Sequence, residues 1–153
     1  MRLTNFTDYS LRVLIYVAAH PDGRSTIREI AQCYGISEHH LTKVVHSLGA
    51  AGFLDNTRGR GGGIRLARAP REINVGAVVR HAEGAAVPAA CFEPTAPPCS
   101  IYEACFLRGV LSRAVDAFHA VLDRYTLADL VHDRPRLQRV LLARPATAAG
   151  RQK

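Results

Sequence analysis

No uninterrupted apolar run in this 153-residue chain exceeds the seven residues from Val13 to Ala19, where a membrane helix needs about 20. A secretory leader is not expected either, because Asp8 and Arg12 interrupt the N-terminal region and no small-residue cleavage site follows. The chain is therefore expected in the cytoplasm, where thiols stay reduced. Its four Cys are accordingly read as ligands, redox groups or core filler before disulfides. A Gly-x-Ser-x-Gly elbow, a phosphate loop and a paired-carboxylate constellation are all missing, which leaves no enzyme signature. Acids are missing from residues 58–68, where Arg58, Arg60, Arg65 and Arg68 fall together. The rest is ordinary for one globular domain, with 48% apolar and 22% charged residues. The net charge of +7 sits at the two ends, since residues 71–100 carry two basic and three acidic side chains. A concentrated cationic stretch favours a polyanionic partner, most commonly nucleic acid. A solvated charged loop is the other reading, and the flanking architecture must decide.

That architecture is a run of short amphipathic segments. Leu11, Leu14, Ile15 and Ala18 recur at i, i+3, i+4 and i+7, which predicts a helix over about residues 5–19. His20-Pro21-Asp22-Gly23 ends it with turn chemistry. Thr26 and Glu29 form a capping box for a second helix, whose apolar face is Ile27, Ile30, Ala31 and Tyr34. Gly35 breaks that helix. Ser37 caps a third, with Leu41, Val44, Val45 and Leu48 inward. Two short helices joined by a Gly-containing turn make a helix-turn-helix. Glu38, His39, His40, Thr42, Lys43 and His46 face outward on the third helix, and such side chains suit base edges and phosphates.

After Gly52 the period drops from 3.6 to 2. Phe53-Leu54 leads to Arg58-Gly59-Arg60-Gly61-Gly62-Gly63, and Ile64 and Leu66 then alternate with Arg65 and Ala67. This is a β-hairpin with a glycine-rich tip and basic flanks. A nucleotide-cradling loop would need Lys-Ser/Thr and a following helix, and neither is present. A hairpin directly after a helix-turn-helix is a wing. The expected DNA contacts are Arg28, Ser37, Glu38, His39, His40, Thr42, Lys43, His46, Arg58, Arg60 and Arg65.

Downstream, Asn74 caps a short helix through His81, with Val75, Val78 and Val79 inward. Residues 84–100 lose period and gain Pro88, Pro94, Pro97 and Pro98, which predicts a loop. Ser100 and Glu103 suggest a capping box opening a helix to about Tyr125. Leu107, Leu111, Ala114, Phe118, Val121 and Tyr125 form a heptad seam along it. About 25 residues would span ~37 Å, more than a small winged domain can cover, so part of the seam should meet a second copy of the chain. Thr126 caps a last short helix through Val131, and a frayed tail is expected from about residue 144.

Cys91, Cys99 and Cys105 bracket the proline-rich loop in a C-x7-C-x5-C pattern. Zinc sites usually include a tight C-x2–4-C pair, and none is present. Three thiolates on a loop and a helix start suit an iron–sulfur cluster, whose anionic charge a helix N-terminus favours. Buried reduced thiols and a thiol redox switch remain alternatives. Cys33, three residues after Ile30, reads as core filler. His81 and His119 show no ligand spacing.

Met1-Arg2-Leu3-Thr4-Asn5-Phe6-Thr7-Asp8-Tyr9, the Arg58-Gly59…Gly62-Gly63-Ile64-Arg65-Leu66 wing, the three cysteines and Tyr125-Thr126-Leu127-Ala128-Asp129-Leu130-Val131 together resemble the NsrR family of nitric-oxide-sensing iron–sulfur repressors. These are relatives of the iron–sulfur cluster regulators of the IscR branch. The resemblance runs from residue 1 to about 143. It implies a homodimeric repressor with a 4Fe–4S or 2Fe–2S cluster near the dimer interface, winged helices on a palindromic DNA operator and nitric oxide as effector. The gap between Cys91 and Cys99 is longer than is usual in the family, with the extra length in a loop that tolerates insertion. The IscR branch has a ligating His three residues after the third Cys. This chain has Arg108, which cannot ligate iron, and the resemblance then suggests Asp8 of the partner subunit as fourth ligand. From the residues alone, Asp8 is an acid in a first helical turn, favourable to the helix dipole.

The expected fold is therefore mainly α with a small β-hairpin: a winged helix-turn-helix domain over 1–83, a cluster-binding loop over 84–100, a long dimerisation helix with its short follower over 101–131 and a C-terminal segment over 132–153. The expected function is a DNA-binding repressor that senses nitric oxide through its cluster and releases its operator on nitrosylation, not an enzyme and not a membrane protein. The alternative is a regulator on the same scaffold that uses its cysteines for iron–sulfur or redox status, or for zinc.

Overall fold

The structure is a computed structural model that describes residues 3–57, 62–84, 87–93, 95, 97 and 99–142. The first helix, α1 (Asn5–Ala19), lies at the centre and touches the third and fourth helices, the hairpin and both C-terminal helices. Thr4 caps it by accepting from the Thr7 amide. Its buried face runs through Thr7, Ser10, Val13, Leu14, Tyr16 and Val17, whereas the sequence stripe named Leu11, Leu14, Ile15 and Ala18. Only Leu14 of those four is fully buried; the others are half-buried. The helix is covered on several sides, so one stripe underestimates its contact. Ser10 is tolerated inside because its hydroxyl donates to the Phe6 carbonyl at 2.8 Å.

The helix-turn-helix forms as expected. In α2 (Ile27–Tyr34) the Thr26–Glu29 capping box is present, and Gly35 ends the helix in the left-handed region at φ 66°, where a Cβ would be strained. Ser37 accepts from the His40 amide to start α3 (Glu38–Ala50). Leu41, Val44, Val45 and Leu48 are buried, joining Val13, Leu14, Ile30, Ile73 and Leu127 in one core. Removing a fully buried leucine such as Leu41 costs about 2–5 kcal/mol.

The wing is the antiparallel pair β1 (Leu54–Thr57) and β2 (Gly63–Leu66), in register Leu54↔Leu66, Asp55↔Arg65, Asn56↔Ile64 and Thr57↔Gly63. Ile64 also exchanges two backbone hydrogen bonds with Ser25, stitching the hairpin to the entrance of α2. A Cβ on Gly63 would stand 2.7 Å from the Arg24 side chain, so a larger residue cannot pass there without displacing it. The expected wing-tip residues Arg58 and Arg60 lie outside the described residues.

Asn74 caps α4 (Val75–Glu83), which runs two residues beyond the expected end. The long helix departs more from expectation. It begins at Phe106 instead of Ser100 and ends at Leu122, giving α5 (Phe106–Leu122) 17 residues, a span of about 25 Å. Residues 99–105 instead wind as a tight turn: the amides of Tyr102, Ala104 and Cys105 donate to the carbonyls of Cys99, Ile101 and Tyr102. Cys105 is extended, at φ −79° and ψ 98°, and breaks this turn from the helix. The expected Ser100–Glu103 box therefore does not form. Thr126 and Asp129 do form a capping box on α6 (Leu127–Leu130). A further helix, α7 (Arg134–Leu142), was not expected; Asp133 accepts from the Arg136 amide at its start. Residues beyond 142, including the expected frayed tail, lie outside the described ones.

Both C-terminal helices return to the head. Leu127 is 2% exposed in the common core. The Arg134 guanidinium donates to the Ala19 and His20 carbonyls, and Gln138 donates to Ala19 at 2.7 Å. These bonds satisfy the last carbonyls of α1, which no intrahelical partner can reach.

Candidate DNA interface and cysteine segment

The outward face of α3 is set by the burial of its opposite side. With Leu41, Val44, Val45 and Leu48 inward, Glu38, His39, His40, Thr42, Lys43 and His46 are all exposed. Arg28 on α2 and Ser37 at the cap of α3 are exposed as well. Two hydroxyls are partly committed, since Ser37 accepts from its cap amide and Thr42 donates to the Glu38 carbonyl at 2.7 Å. Arg65 is exposed on β2, opposite Asp55 in the strand register.

Between α3 and the wing lies an open groove of about 570 Å³. Thr42 and His46 line one wall, while Asn56, Thr57 and Gly63 line the other. Asn56 and Thr57 are exposed polar groups that the sequence reading missed. β1 buries Leu54 and leaves the next three residues exposed, a departure from strict alternation, which would have turned Asn56 to the same face as Leu54. Asn56 also donates to the Val45 carbonyl, which fixes the wing against α3.

Cys91, Cys99 and Cys105 are free thiols on the segment joining α4 to α5. Cys91 and Cys105 are half-buried and Cys99 is exposed. Cys33 is buried in the helix-turn-helix, where its thiol donates to the Leu141 carbonyl at 3.3 Å, in keeping with core filler. Among the described residues, no three His, Cys, Asp or Glu side chains stand close enough to hold one metal ion. Asp8 is paired with Arg12 of its own helix through two contacts of 2.9 Å. Both groups are nearly half exposed, so this pair is worth only about 0–1 kcal/mol and is easily exchanged.

His81 and Glu83 tie the helix before this segment to the rest of the head, and Arg80 ties it to the end of α5. His81 of α4 shares a hydrogen bond with Ser47 of α3 at 2.9 Å and packs edge-on against Phe53. Glu83, the last residue of α4, accepts from the Thr4 amide and from the Thr4 and Thr7 hydroxyls. Burial pushes the Glu83 carboxyl up, but these bonds outweigh it and hold it below its ordinary value. At the far end of α5, Arg80 grips Asp123 with two hydrogen bonds, and these hold the Asp123 carboxyl below the usual range. Gly76 makes this closeness possible, because a Cβ there would overlap the Asp123 carboxylate.

The expected seam on α5 is split. Leu111 and Phe118 turn inward and line a cavity of about 360 Å³ with Leu3, Glu83, Val87 and His119. Leu107, Val121 and Tyr125 are exposed, as are Phe106 at 79% and Val110. No residue of α5 is fully buried.

The Rrf2 family, described as iron-dependent transcriptional regulators, matches residues 3–133. The chain belongs to the Rrf2 family. It is 48% identical over 142 residues to the HTH-type transcriptional regulator NsrR of Bacillus subtilis, covering 92% of this chain and 97% of that protein. It is 45% identical over 146 residues to the NsrR of Halalkalibacterium halodurans, covering 95% and 100%. Among solved structures, T. potens IscR superimposes with a TM-score of 0.69 at 27% identity, covering 98% of this chain and 94% of that one. This Rrf2 protein is thus a transcriptional regulator built on a DNA-binding winged helix-turn-helix, not an enzyme. Among the described residues, no helix is long and apolar enough to cross a membrane.

Proposed function

We propose that this Rrf2 protein is a homodimeric repressor that binds a palindromic operator while an iron–sulfur cluster is held by Cys91, Cys99 and Cys105, and that nitric oxide releases it. The observation that carries this reading is the placement of three free thiols on the one segment linking α4 to α5. The donor set fits such a group: soft thiolates suit iron–sulfur chemistry. Cys105 is the N-cap residue of α5, and no side chain caps that terminus, so first-turn amides face the segment. Asp8 of the partner subunit would complete the set, exchanging its Arg12 contact for iron. When bound, the cluster supplies iron to which nitric oxide coordinates.

The chain's own residues then carry the consequence. With its thiols tied, the segment fixes the end of α4 against the start of α5. His81 and Glu83 pass that restraint to α3 and to the first turn of α1. The exposed apolar stripe Phe106, Val110 and Val121 on α5 is the face offered to a second copy, burying surface that would otherwise stay in water. Two recognition helices held at one helical turn, about 34–36 Å, or a multiple of it, fit successive major grooves. Once the thiols are released, that spacing is no longer held, and one recognition helix leaves its half-site. Moving the population from 99:1 to 1:99 takes about 5.5 kcal/mol of differential affinity.

An electrophoretic shift assay on cluster-loaded, nitrosylated and cluster-free protein tests the reading under anaerobic conditions. Tight binding by the loaded protein alone is expected. Equal affinity of all three samples overturns it. Absorbance between about 300 and 500 nm in anaerobically purified protein separates iron–sulfur from colourless zinc.

A further inference from the structure

The cysteine segment is crossed by one cation stacked on two rings. The Arg108 guanidinium lies over two aromatic rings at once, 5.1 Å from the centre of Phe92 and 4.8 Å from the centre of Tyr102. Phe92 immediately follows Cys91, Tyr102 falls between Cys99 and Cys105, and Arg108 lies three residues beyond Cys105. A single side chain therefore ties together the stretches that carry all three thiols. The other cations stacked on rings among the described residues, Arg12, Arg68 and Arg113, each meet one ring.

We propose that Arg108, clipped between Phe92 and Tyr102, is the positioning residue that sets the shape of the cysteine segment and supplies its counter-charge. The proposal rests on the iron–sulfur reading for the second of these roles only. Arginine suits the first role because its planar cation stacks on ring faces and stays charged at any working pH. For the second, its Nε is shut off from solvent and has no hydrogen-bond partner among the described residues. A buried donor on a cation is costly unless an acceptor arrives. Arg108 also joins neither ion pair among the described residues, Asp8–Arg12 and Arg80–Asp123. Three thiolates holding an iron–sulfur core form an anion, which is the acceptor this site lacks. A residue that cannot ligate iron thus gains a role through charge and stacking.

The test uses the full chain with Arg108→Leu, Arg108→Lys and Phe92→Leu. In cluster-free protein, alkylation of each thiol is followed by mass spectrometry, with buried Cys33 as internal control. The half-buried Cys91 and Cys105 should react more slowly than exposed Cys99 in the parent. Arg108→Leu and Phe92→Leu should speed those two by about five- to tenfold, with Cys33 unchanged. In loaded protein, Arg108→Leu should move the reduction potential to a more negative value, because the added electron loses a nearby positive charge. Arg108→Lys should restore the potential, and Phe92→Leu should leave it near the parent's. Parent-like alkylation in both leucine variants overturns the positioning role, and a parent-like potential in Arg108→Leu overturns the counter-charge. If even the parent takes up no cluster, the iron–sulfur reading fails while the alkylation rates still decide the clip. Should Arg108→Leu fail to fold, Phe92→Leu carries the alkylation readout, and Arg108→Gln, which keeps a polar side chain without the charge, carries the potential, a parent-like value there again overturning the counter-charge.

Discussion

His81 on α4 and Ser47 on α3 share a hydrogen bond of 2.9 Å, so the helix that leads into the cysteine segment is hooked to the recognition helix. One such bond contributes about 0.5–1.5 kcal/mol. His81→Ala and Ser47→Ala are each expected to weaken operator binding by the loaded protein by up to about tenfold. The double variant should be little worse than either single one, since both remove the same link. Fluorescence anisotropy with labelled operator measures this, and fully additive losses would show that the link does not exist.

Lys43 and Arg28 are exposed on the helix-turn-helix, on the side proposed to face DNA. Replacing either by Ala should flatten the dependence of log affinity on log salt by about 0.9 for each phosphate that is no longer neutralised. A salt titration of binding gives the slope. An unchanged slope in both variants would remove this face from the interface.

Cys91→Ala, Cys99→Ala and Cys105→Ala should each abolish stable visible absorbance after anaerobic reconstitution. Cys33→Ala should retain it, because that thiol is spent on the Leu141 carbonyl in the core. Asp8→Ala should leave a labile cluster with an altered spectrum. An unchanged spectrum would return Asp8 to its pairing with Arg12.

Glu83 carries a pH dependence of known sign. Its carboxyl is held below the ordinary value of 4.5 in the fold, so the stability it contributes is fully present above that value. It is lost as pH falls through the lower, folded value. Glu83→Gln should therefore lower Tm at neutral pH, and the gap to the parent should close as the solution is acidified below 4.5. Thermal melts across that range measure the gap; a constant gap would show that the carboxylate is not the responsible group.

Much of this was legible in the chain. Caps at Thr26, Ser37, Asn74 and Thr126 mark real helix starts, because each places a side-chain oxygen where local geometry alone decides the outcome. Ser100–Glu103 shows the limit of that logic. The same signature sits there, but the extended Cys105 cuts the segment before a helix can propagate. The heptad seam was legible as a stripe, but its division was not. Periodicity says which residues share a face but not what covers it, and Leu111 and Phe118 turn to their own chain while Val121 and Tyr125 do not. Helix α7 could have been found from Asp133 and Pro135, a cap and a first-turn proline that the polar composition around them concealed. The Arg108 stack was not legible, because nothing in spacing tells that residues 92, 102 and 108 converge.

The donors that close the end of α1 have a consequence for how the protein is made. α1 leaves the ribosome well before the residues that close its end, since Arg134 and Gln138 lie 115 and 119 residues after the Ala19 carbonyl that they satisfy. Leu127, deep in the same core, arrives almost as late. Between the synthesis of α1 and that of these residues, the head therefore lacks its final cap and part of its interior. A nascent chain in that interval exposes apolar surface and unsatisfied carbonyls. A premature stop shortly before residue 134 would thus yield a product recognised by proteases, and not a truncated regulator that still competes for operators.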